Sequence, residues 1–219
     1  MLAGLEYGVV LKWHSLLLQG MGVSLALTGL AIIGGVLLGV LLALMRLSRF
    51  APLALAAGGY VNFFRAMPLI LVIFWFYFLV PLLLGRPVGP FYSVLIAFTL
   101  FEAAYYSEII RAGIQSVTRG QINAGLAVGL TYLQTMRHVV LPQAFRNMVP
   151  ILLTQAIILF QDTSLVYVVG LRDFLTTADM IVSIDNRPVE LYTFAAAVYL
   201  VICLAGSLWV RRLRRRYAI

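Results

Sequence analysis

The chain has 219 residues, of which 63% are hydrophobic and 11% are charged, and its formal net charge is +8. A soluble domain is roughly 45–50% apolar and about 25% charged, so this composition excludes an ordinary water-soluble globular domain. The positive charge does not indicate nucleic-acid binding, because in a membrane chain the position of the cations matters more than their sum. We therefore expect an all-α integral membrane protein in contact with a lipid bilayer.

The first segment, residues 1–19, contains Lys12, Trp13 and His14 among leucines. This pattern fits a short helix at the outer membrane interface, where tryptophan is enriched, and the alternative is a frayed terminus. The segment lacks a basic start followed by a compact apolar run and a small-residue cleavage site, so we do not expect a cleaved signal peptide.

Several later segments are long enough to cross a bilayer, which takes about 20 mostly apolar residues. Three of them contain no Asp, Glu, Lys or Arg, and they are residues 20–45, 66–85 and 191–210. Two more carry acids within the apolar run, and they are residues 87–110 and 147–171. The sequence therefore predicts about five transmembrane helices in a membrane domain, 20–213, followed by a basic tail, 214–219.

The distribution of basic residues predicts the orientation. With the N-terminus outside, eleven of the sixteen Lys and Arg residues fall in cytoplasmic segments, four fall outside, and Arg65 at the edge of the second span is not counted. Cytoplasmic loops carry the excess of Lys and Arg in membrane proteins. We therefore expect an N-out, C-in topology.

Charged residues within spans are candidates for function, because each costs about 2.5–3.5 kcal/mol at the centre of a helix. Glu108 and Arg111 are three apart, so they form either an intrahelical pair that anchors the end of the span or a contact lining a path or an interface. Glu102 is expected to be paired, protonated or structural.

Two further groups of polar residues are also candidates for function. Asp162, Thr163 and Ser164 lie in the fourth predicted span and serve either as interhelical contacts or as the lining of a pathway. Arg65, with Asn62, is the natural candidate to meet a carboxylate through bidentate hydrogen bonds, and the alternative is that Arg65 anchors its span.

The cytoplasmic connection between the third and fourth spans is long, polar and rich in helix signals. Thr118 and Gln121 fit a capping box at the start of a first helix, and Gly129 fits the residue just past its end. Thr131 and Gln134 repeat the capping signal for a second helix.

Pro142 discourages a helical conformation at Leu141, so the second helix is expected to end there. Apolar residues at spacings of three and four suggest faces that need a partner surface. These residues are Ile122, Leu126, Leu133, Met136, Val139 and Val140.

Residues 120–129 read GQINAGLAVG, and nine residues later the chain reads Val-Val-Leu-Pro over 139–142. This pattern resembles the permease signature of binding-protein-dependent ABC importers, written EAA, three residues, G, nine residues, I, any residue, L, P. The departures are Asn123 for Glu, Gly125 for the second Ala, and Val139 for Ile.

The resemblance implies the fold of a type I ABC importer permease, with a coupling helix that docks into a groove on an ATP-hydrolysing subunit. The coupling role would fall on Asn123, Ala124, Gly125, Gly129, Leu141 and Pro142. Losing the Glu at position 123 would remove one polar docking contact.

Other segments resemble the amino-acid branch of that family, and they are residues 60–69, 104–116 and 161–165. Within this branch, residues 101–106, 153–155 and 160–167 are most similar to permeases of glutamate/aspartate importers. The resemblance implies two ATPase subunits, a second identical or different permease chain, and a periplasmic or extracellular amino-acid-binding protein. It also implies location in the cytoplasmic membrane of a bacterium.

Hydrolysis of ATP requires a phosphate-binding loop with a lysine after its glycines. The single lysine, Lys12, is followed by Trp13 and no such glycines precede it, so the chain is expected to be non-catalytic. We expect no cofactor or metal in this chain. ATP and Mg²⁺ would be bound by the partner ATPase.

One other function is an alternative to an ATP-driven permease. An ion-coupled secondary amino-acid transporter or a channel subunit would use the acids within the spans. A membrane enzyme lacks support, because His14 and His138 are predicted on opposite sides of the membrane.

Overall fold

The computed structural model describes residues 6–217, and each regular element in that range is a helix. In chain order these are α1 Gly8–Lys12, α2 His14–Leu47, α3 Ala51–Arg65, α4 Leu69–Leu84, α5 Pro90–Gln115, α6 Arg119–Ala127, α7 Tyr132–Val169, α8 Phe174–Asp185 and α9 Pro188–Tyr217. Residues 1–5 and 218–219, which belong to the predicted outer segment and basic tail, lie outside the described range. The all-helical class is confirmed.

Four helices, α2, α5, α7 and α9, are long and apolar enough to cross a membrane. Helices α3 and α4 meet the same requirement together but are bent by 104° at the break between them, so the described chain has up to five spans. The prediction of about five is therefore confirmed.

A π turn, Met136–Val140, widens α7 just before Pro142. The amide of Leu141 donates to a carbonyl five residues earlier instead of four. Proline has no N–H and its ring crowds the carbonyl four residues before it, and a wider turn accommodates both effects. The expectation that Pro142 ends a helix is therefore wrong, since α7 continues through it. The same arrangement precedes Pro81 in α4.

The two predicted capping boxes have different outcomes. At the start of α7, the amide of Gln134 donates to Thr131 Oγ1 at 3.3 Å and the Thr131 amide donates to Gln134 Oε1 at 2.8 Å, which confirms that box. At the start of α6, Thr118 is the N-cap but its side chain makes no capping bond. The prediction of a capping box at Thr118 is therefore wrong. The side chain of Gln121, which would complete that box, instead accepts a hydrogen bond at Oε1 from Gln143 Nε2 at 3.3 Å.

The chain divides into two compact units. Unit 1 contains the described parts of Met1–Ile33, Met67–Thr99 and Ala156–Ser207. Unit 2 contains the described parts of Gly34–Ala66, Leu100–Gln155 and Leu208–Ile219.

Unit 1 has a core formed by α1, α2, α8 and α9. Its buried members are Val9, Leu17, Phe174, Ala178, Ile181, Leu191 and Ala195. A Cβ added at Gly20 would lie 2.6 Å from Thr177 Oγ1, so the glycine allows α2 and α8 to approach closely.

Unit 2 has two smaller apolar clusters. The first contains Ala43, Tyr106, Ile110 and Met148, and the second contains Val117, Val140 and Ala144. A Cβ added at Gly39 would lie 2.8 Å from Tyr106 Cβ and 3.1 Å from the Ser107 amide nitrogen. Gly35 and Gly39 thus allow α2 to pack closely against α5 of the same chain.

Large apolar side chains remain uncovered on several helices. Leu37, Leu82 and Leu83 are 70%, 77% and 78% exposed, respectively. Leaving a leucine side chain in water forgoes about 1.5–3 kcal/mol of burial free energy. Exposed leucines on helices of spanning length are expected of a protein whose surface is covered by lipid or by a further apolar chain.

Candidate coupling and translocation sites

The α6 helix and the first turns of α7 form the segment in which the permease signature lies. Asn123 and Ala124 are exposed on α6, and Gly129 follows the end of α6 with a φ of +89°, a conformation that favours glycine. Leu141 and Pro142 are exposed within α7.

The packing of α6 explains why residue 125 is a glycine where the signature has an alanine. Gly125 is the buried residue of α6, and a Cβ at this position would lie 2.6 Å from Thr135 Cγ2 and 3.2 Å from Thr135 Cβ. An alanine at 125 would therefore force a shift of the neighbouring Thr135, which is itself fully buried. The sequence could not reveal this pair because nothing in it places the two residues in contact.

The predicted apolar faces of this segment divide into an inward and an outward group. Val140 is buried, and Ile122 and Met136 pack against the cluster around it. Leu126 and Leu133 are 45% and 77% exposed. Additional exposed apolar side chains on the same segment are Val128 and Tyr132.

Hydrogen bonds from α7 reach α6 at one place and the end of α5 at another. Gln143 Nε2 donates to Gln121 Oε1 at 3.3 Å, and Asn147 Nδ2 donates to Ser116 Oγ at 2.8 Å. The segment is thus an ordered part of unit 2, with an exposed apolar surface.

A cluster of arginines surrounds Glu108 in the same unit. Arg46 donates to Glu108 Oε2 and Arg111 donates to Glu108 Oε1, while Arg65 Nη1 lies 3.8 Å from Glu108 Oε2. Arg111 also donates to Gln115 Oε1 at 2.6 Å. The intrahelical Glu108–Arg111 pair expected from the sequence is present, whereas Arg46, 62 residues away along the chain, had no sequence signal to join it.

Arg65 is the last residue of α3, and the structure brings it next to Glu108. Its Cζ lies 5.5 Å from the ring centroid of Tyr105, at the distance of a cation–π contact. Asn62 lies one turn earlier on α3 and is exposed, as is Arg65.

Glu102 is fully buried in α5 of unit 2. It accepts hydrogen bonds from Gln155 Nε2 at 3.1 and 3.2 Å, and a Cβ at Gly35 would lie 3.1 Å from its own Cβ. This environment fits the paired or structural alternatives, since a buried carboxyl needs hydrogen-bond partners. Gln155 had not been singled out from the sequence as that partner.

The Asp162, Thr163 and Ser164 group lies in unit 1, where α7 tightens into a 3₁₀ turn at Thr163–Val169. Thr163 is fully buried and donates to the Phe160 carbonyl at 2.7 Å, so its contact is within the helix. Asp162 is partly exposed.

Ser164 lines a cavity of about 260 Å³, together with Gln161, Leu175, Tyr192, Ala195, Ala196 and Tyr199. The three residues thus face different surroundings instead of forming one polar site.

A second ionic cluster, in unit 1, was not expected from the sequence. Asp185 accepts hydrogen bonds from Lys12 Nζ at 2.8 Å and from Trp13 Nε1 at 2.7 Å. Hydrogen bonds from Lys12, and then from Trp13, lower the pKa of Asp185. Arg187 pairs with Glu6 at 3.0 Å and with Glu190 at 3.1 Å. These contacts join α1 to the corner between α8 and α9.

Within residues 6–217, no group of three or more His, Cys, Asp or Glu side chains is arranged to hold a metal ion. The polar groups described above can bind charged or hydrogen-bonding ligands, and they lack the nucleophile and base pairing of a hydrolytic site.

Known proteins with similar sequences and structures agree with this geometry. The chain is 53% identical over 209 residues to the glutamate/aspartate import permease protein GltK of Escherichia coli O6:H1, covering 92% of this chain and 93% of that one. It is 37% identical over 202 residues to the probable glutamine ABC transporter permease protein GlnM of Bacillus subtilis strain 168, covering 92% and 93% of the two chains.

A solved structure, described as a crystal structure of an amino acid ABC transporter with histidines, superposes with a TM-score of 0.91 at 34% identity, covering 97% of this chain and 99% of that one. Residues 35–219 match the family described as binding-protein-dependent transport system inner membrane component. The all-helical fold, the spans and these matches together show that the chain belongs to this family of ABC transporter permeases.

Proposed function

We propose that this chain is the permease subunit of an ATP-driven importer that moves glutamate or aspartate across the cytoplasmic membrane of a bacterium. The observation that carries the substrate assignment is the 53% identity to GltK across nearly the whole of both chains. Two relatives at 34% and 37% identity are named for arginine and glutamine.

The proposed mechanism is alternating access driven by a separate ATPase. Two ATPase subunits, with ATP and Mg²⁺ bound to them, would move this chain and a second permease chain between inward-open and outward-open states. A periplasmic or extracellular amino-acid-binding protein would deliver the substrate. The single lysine of this chain lies outside any phosphate-binding loop, which supports a non-catalytic role.

The coupling role is proposed for residues 123–142 on the cytoplasmic side. Exposed Leu126, Val128 and Leu133 provide an apolar surface on an ordered segment, as a docking contact requires. Asn123 offers a neutral amide where the family signature has Glu, and the apolar surface would supply most of the contact area. The N-out, C-in topology predicted from the basic residues would put this surface in the cytoplasm.

The pathway role is proposed for Asn62, Arg65 and Glu108. Of these, the guanidinium of Arg65 carries the charge that suits an anionic substrate. Asp162 and Ser164 are proposed as lining residues of unit 1. Glu102 and Thr163 fit structural roles better, because both are buried and hydrogen-bonded.

The test is reconstitution of the transporter in proteoliposomes with its ATPase, second permease chain and binding protein. We expect ATP-dependent uptake of radiolabelled glutamate and aspartate in preference to glutamine and arginine. Uptake driven by an ion gradient in vesicles without the ATPase would instead favour a secondary transporter, and preference for a neutral or basic amino acid would overturn the substrate assignment.

A further inference from the structure

The Glu108 cluster, formed by Arg46, Arg65, Glu108 and Arg111, is unbalanced in charge. Three guanidinium groups meet one carboxylate, which leaves an excess of positive charge between α2, α3 and α5. Arginine is always protonated in proteins, so this excess persists across the physiological pH range. The cluster therefore attracts a further anion.

The three arginines of the Glu108 cluster differ in how closely they contact Glu108. Arg46 and Arg111 each donate to a different oxygen of Glu108, and their side chains are 16% and 26% exposed. Arg65 lies 3.8 Å from Glu108 Oε2, which is beyond hydrogen-bond range, and its side chain is 41% exposed. Arg65 is thus the arginine of the cluster that can bind an external group without first breaking a hydrogen bond to Glu108.

The surroundings of Arg65 favour a carboxylate. Contact with the ring of Tyr105 limits the motion of the guanidinium while leaving its N–H donors available. The exposed amide of Asn62, one turn earlier, adds a donor on the same helix. A planar guanidinium binds a carboxylate through two parallel hydrogen bonds.

We infer that Glu108 competes with a carboxylate of the transported amino acid for Arg65. This inference rests on the proposed function and adds a role for Glu108. A substrate carboxylate on Arg65 would lie close to the Glu108 carboxylate, and repulsion between the two weakens its binding. Glu108 would therefore keep the affinity for the substrate low and promote its release.

The decisive experiment measures binding of radiolabelled glutamate to the assembled transporter in nanodiscs without ATP. The variant Glu108→Gln keeps the size and an acceptor oxygen of the side chain but removes its charge. An exposed ion pair alters binding by up to about fivefold, so we expect about fivefold tighter binding. The variant Arg65→Gln is expected to bind glutamate at least about fivefold more weakly.

The double variant Glu108→Gln/Arg65→Gln separates competition at Arg65 from a general change in charge. We expect the gain from Glu108→Gln to disappear in this background. A gain that persists without Arg65 would overturn the inference, as would unchanged, weaker or undetectable glutamate binding in Glu108→Gln. If Glu108→Gln does not assemble, unchanged affinity in Arg65→Gln overturns the inference by itself.

Two controls complete the design. Arg49→Gln removes an exposed arginine three residues after Arg46 and should leave glutamate affinity unchanged. Nanodiscs with and without anionic phospholipid test whether Arg65 binds a lipid headgroup, and a gain that depends on anionic lipid would overturn the inference. Wild-type uptake in proteoliposomes is measured separately, so failure of glutamate import can be distinguished from failure of the competition.

Discussion

The two ionic clusters of this protein, one in each unit, differ in how deeply their charges are embedded. In the Glu108 cluster of unit 2, the arginines that donate to Glu108 are 16% and 26% exposed. In the Asp185 cluster of unit 1, made of Lys12, Trp13 and Asp185, the lysine is 59% exposed. Covered charges depend on their partners, whereas exposed charges are solvated by water when a partner is lost. Changes in unit 2 are therefore expected to have larger effects.

The largest effect is expected from overfilling the contact between α6 and α7. Gly125→Ala places a methyl group 2.6 Å from Thr135 Cγ2, and overpacking of this kind costs about 1–3 kcal/mol. We expect ATP-dependent uptake to fall by about tenfold, because α6 would be displaced from its position against α7.

The matched controls for Gly125→Ala come from the same helix and the same contact. Gly120→Ala meets only Thr118 Oγ1 at 3.8 Å and should leave uptake unchanged. The double variant Gly125→Ala/Thr135→Ala should restore uptake, since it removes the obstructing atoms. Loss of uptake in both Gly120→Ala and the double variant would show that steric contact is not the cause.

Removing the shared carboxylate should destabilise unit 2. Glu108→Ala removes the carboxylate to which Arg46 and Arg111 donate, and we expect a loss of about 2 kcal/mol in the free energy of unfolding, less than for a fully buried pair because Glu108 is 24% exposed. For a protein of this size this corresponds to a fall in Tm of about 4–8 °C. Thermal unfolding in detergent measures it, and an unchanged Tm would show that the cluster does not stabilise the fold.

A smaller effect on stability should distinguish the covered cations of the Glu108 cluster from the exposed cation of the Asp185 cluster. Arg46→Met removes one covered cation, and we expect a loss of about 1 kcal/mol, seen as a Tm lower by about 2–4 °C. Lys12→Met removes an exposed cation and is expected to leave Tm within error. Equal shifts for the two variants, in either direction, would contradict the difference in burial as the cause.

The smallest effect concerns pH and Asp185. Hydrogen bonds from Lys12 and Trp13 lower the pKa of Asp185 below its ordinary value of about 3.9. The contact is therefore fully present above pH 4 and is lost only as the pH falls through the lowered pKa. Trp13 fluorescence, in a variant with Trp75→Phe and Trp209→Phe, should be unchanged between pH 7 and 5.

The Asp185→Asn variant provides the comparison for this measurement. It removes the charge that holds Lys12, so the Trp13 emission should differ from that of the parent at neutral pH and approach it in strong acid. A transition of the parent between pH 7 and 5 would show that another group controls the contact.

The amino-acid sequence by itself predicted the membrane class, the number of spans, the capping box at Thr131 and the glycine after α6. These features depend on local quantities, namely the length of an apolar run and the side-chain chemistry at a helix end. The family resemblance of residues 120–142 also needed only residue identities at fixed spacing. The pairing of Glu108 with Arg111 was predictable because both lie on one helix turn.

Tertiary structure alone decided which distant residues meet. Arg46 joins Glu108 across 62 positions of sequence, and Asp185 meets Lys12 across 173. The continuation of α7 through Pro142 required a π turn, which the local rule against helical residues before proline does not foresee. The close approach of α6 and α7 explains Gly125, because a glycine's lack of a Cβ matters only where another side chain already occupies the space.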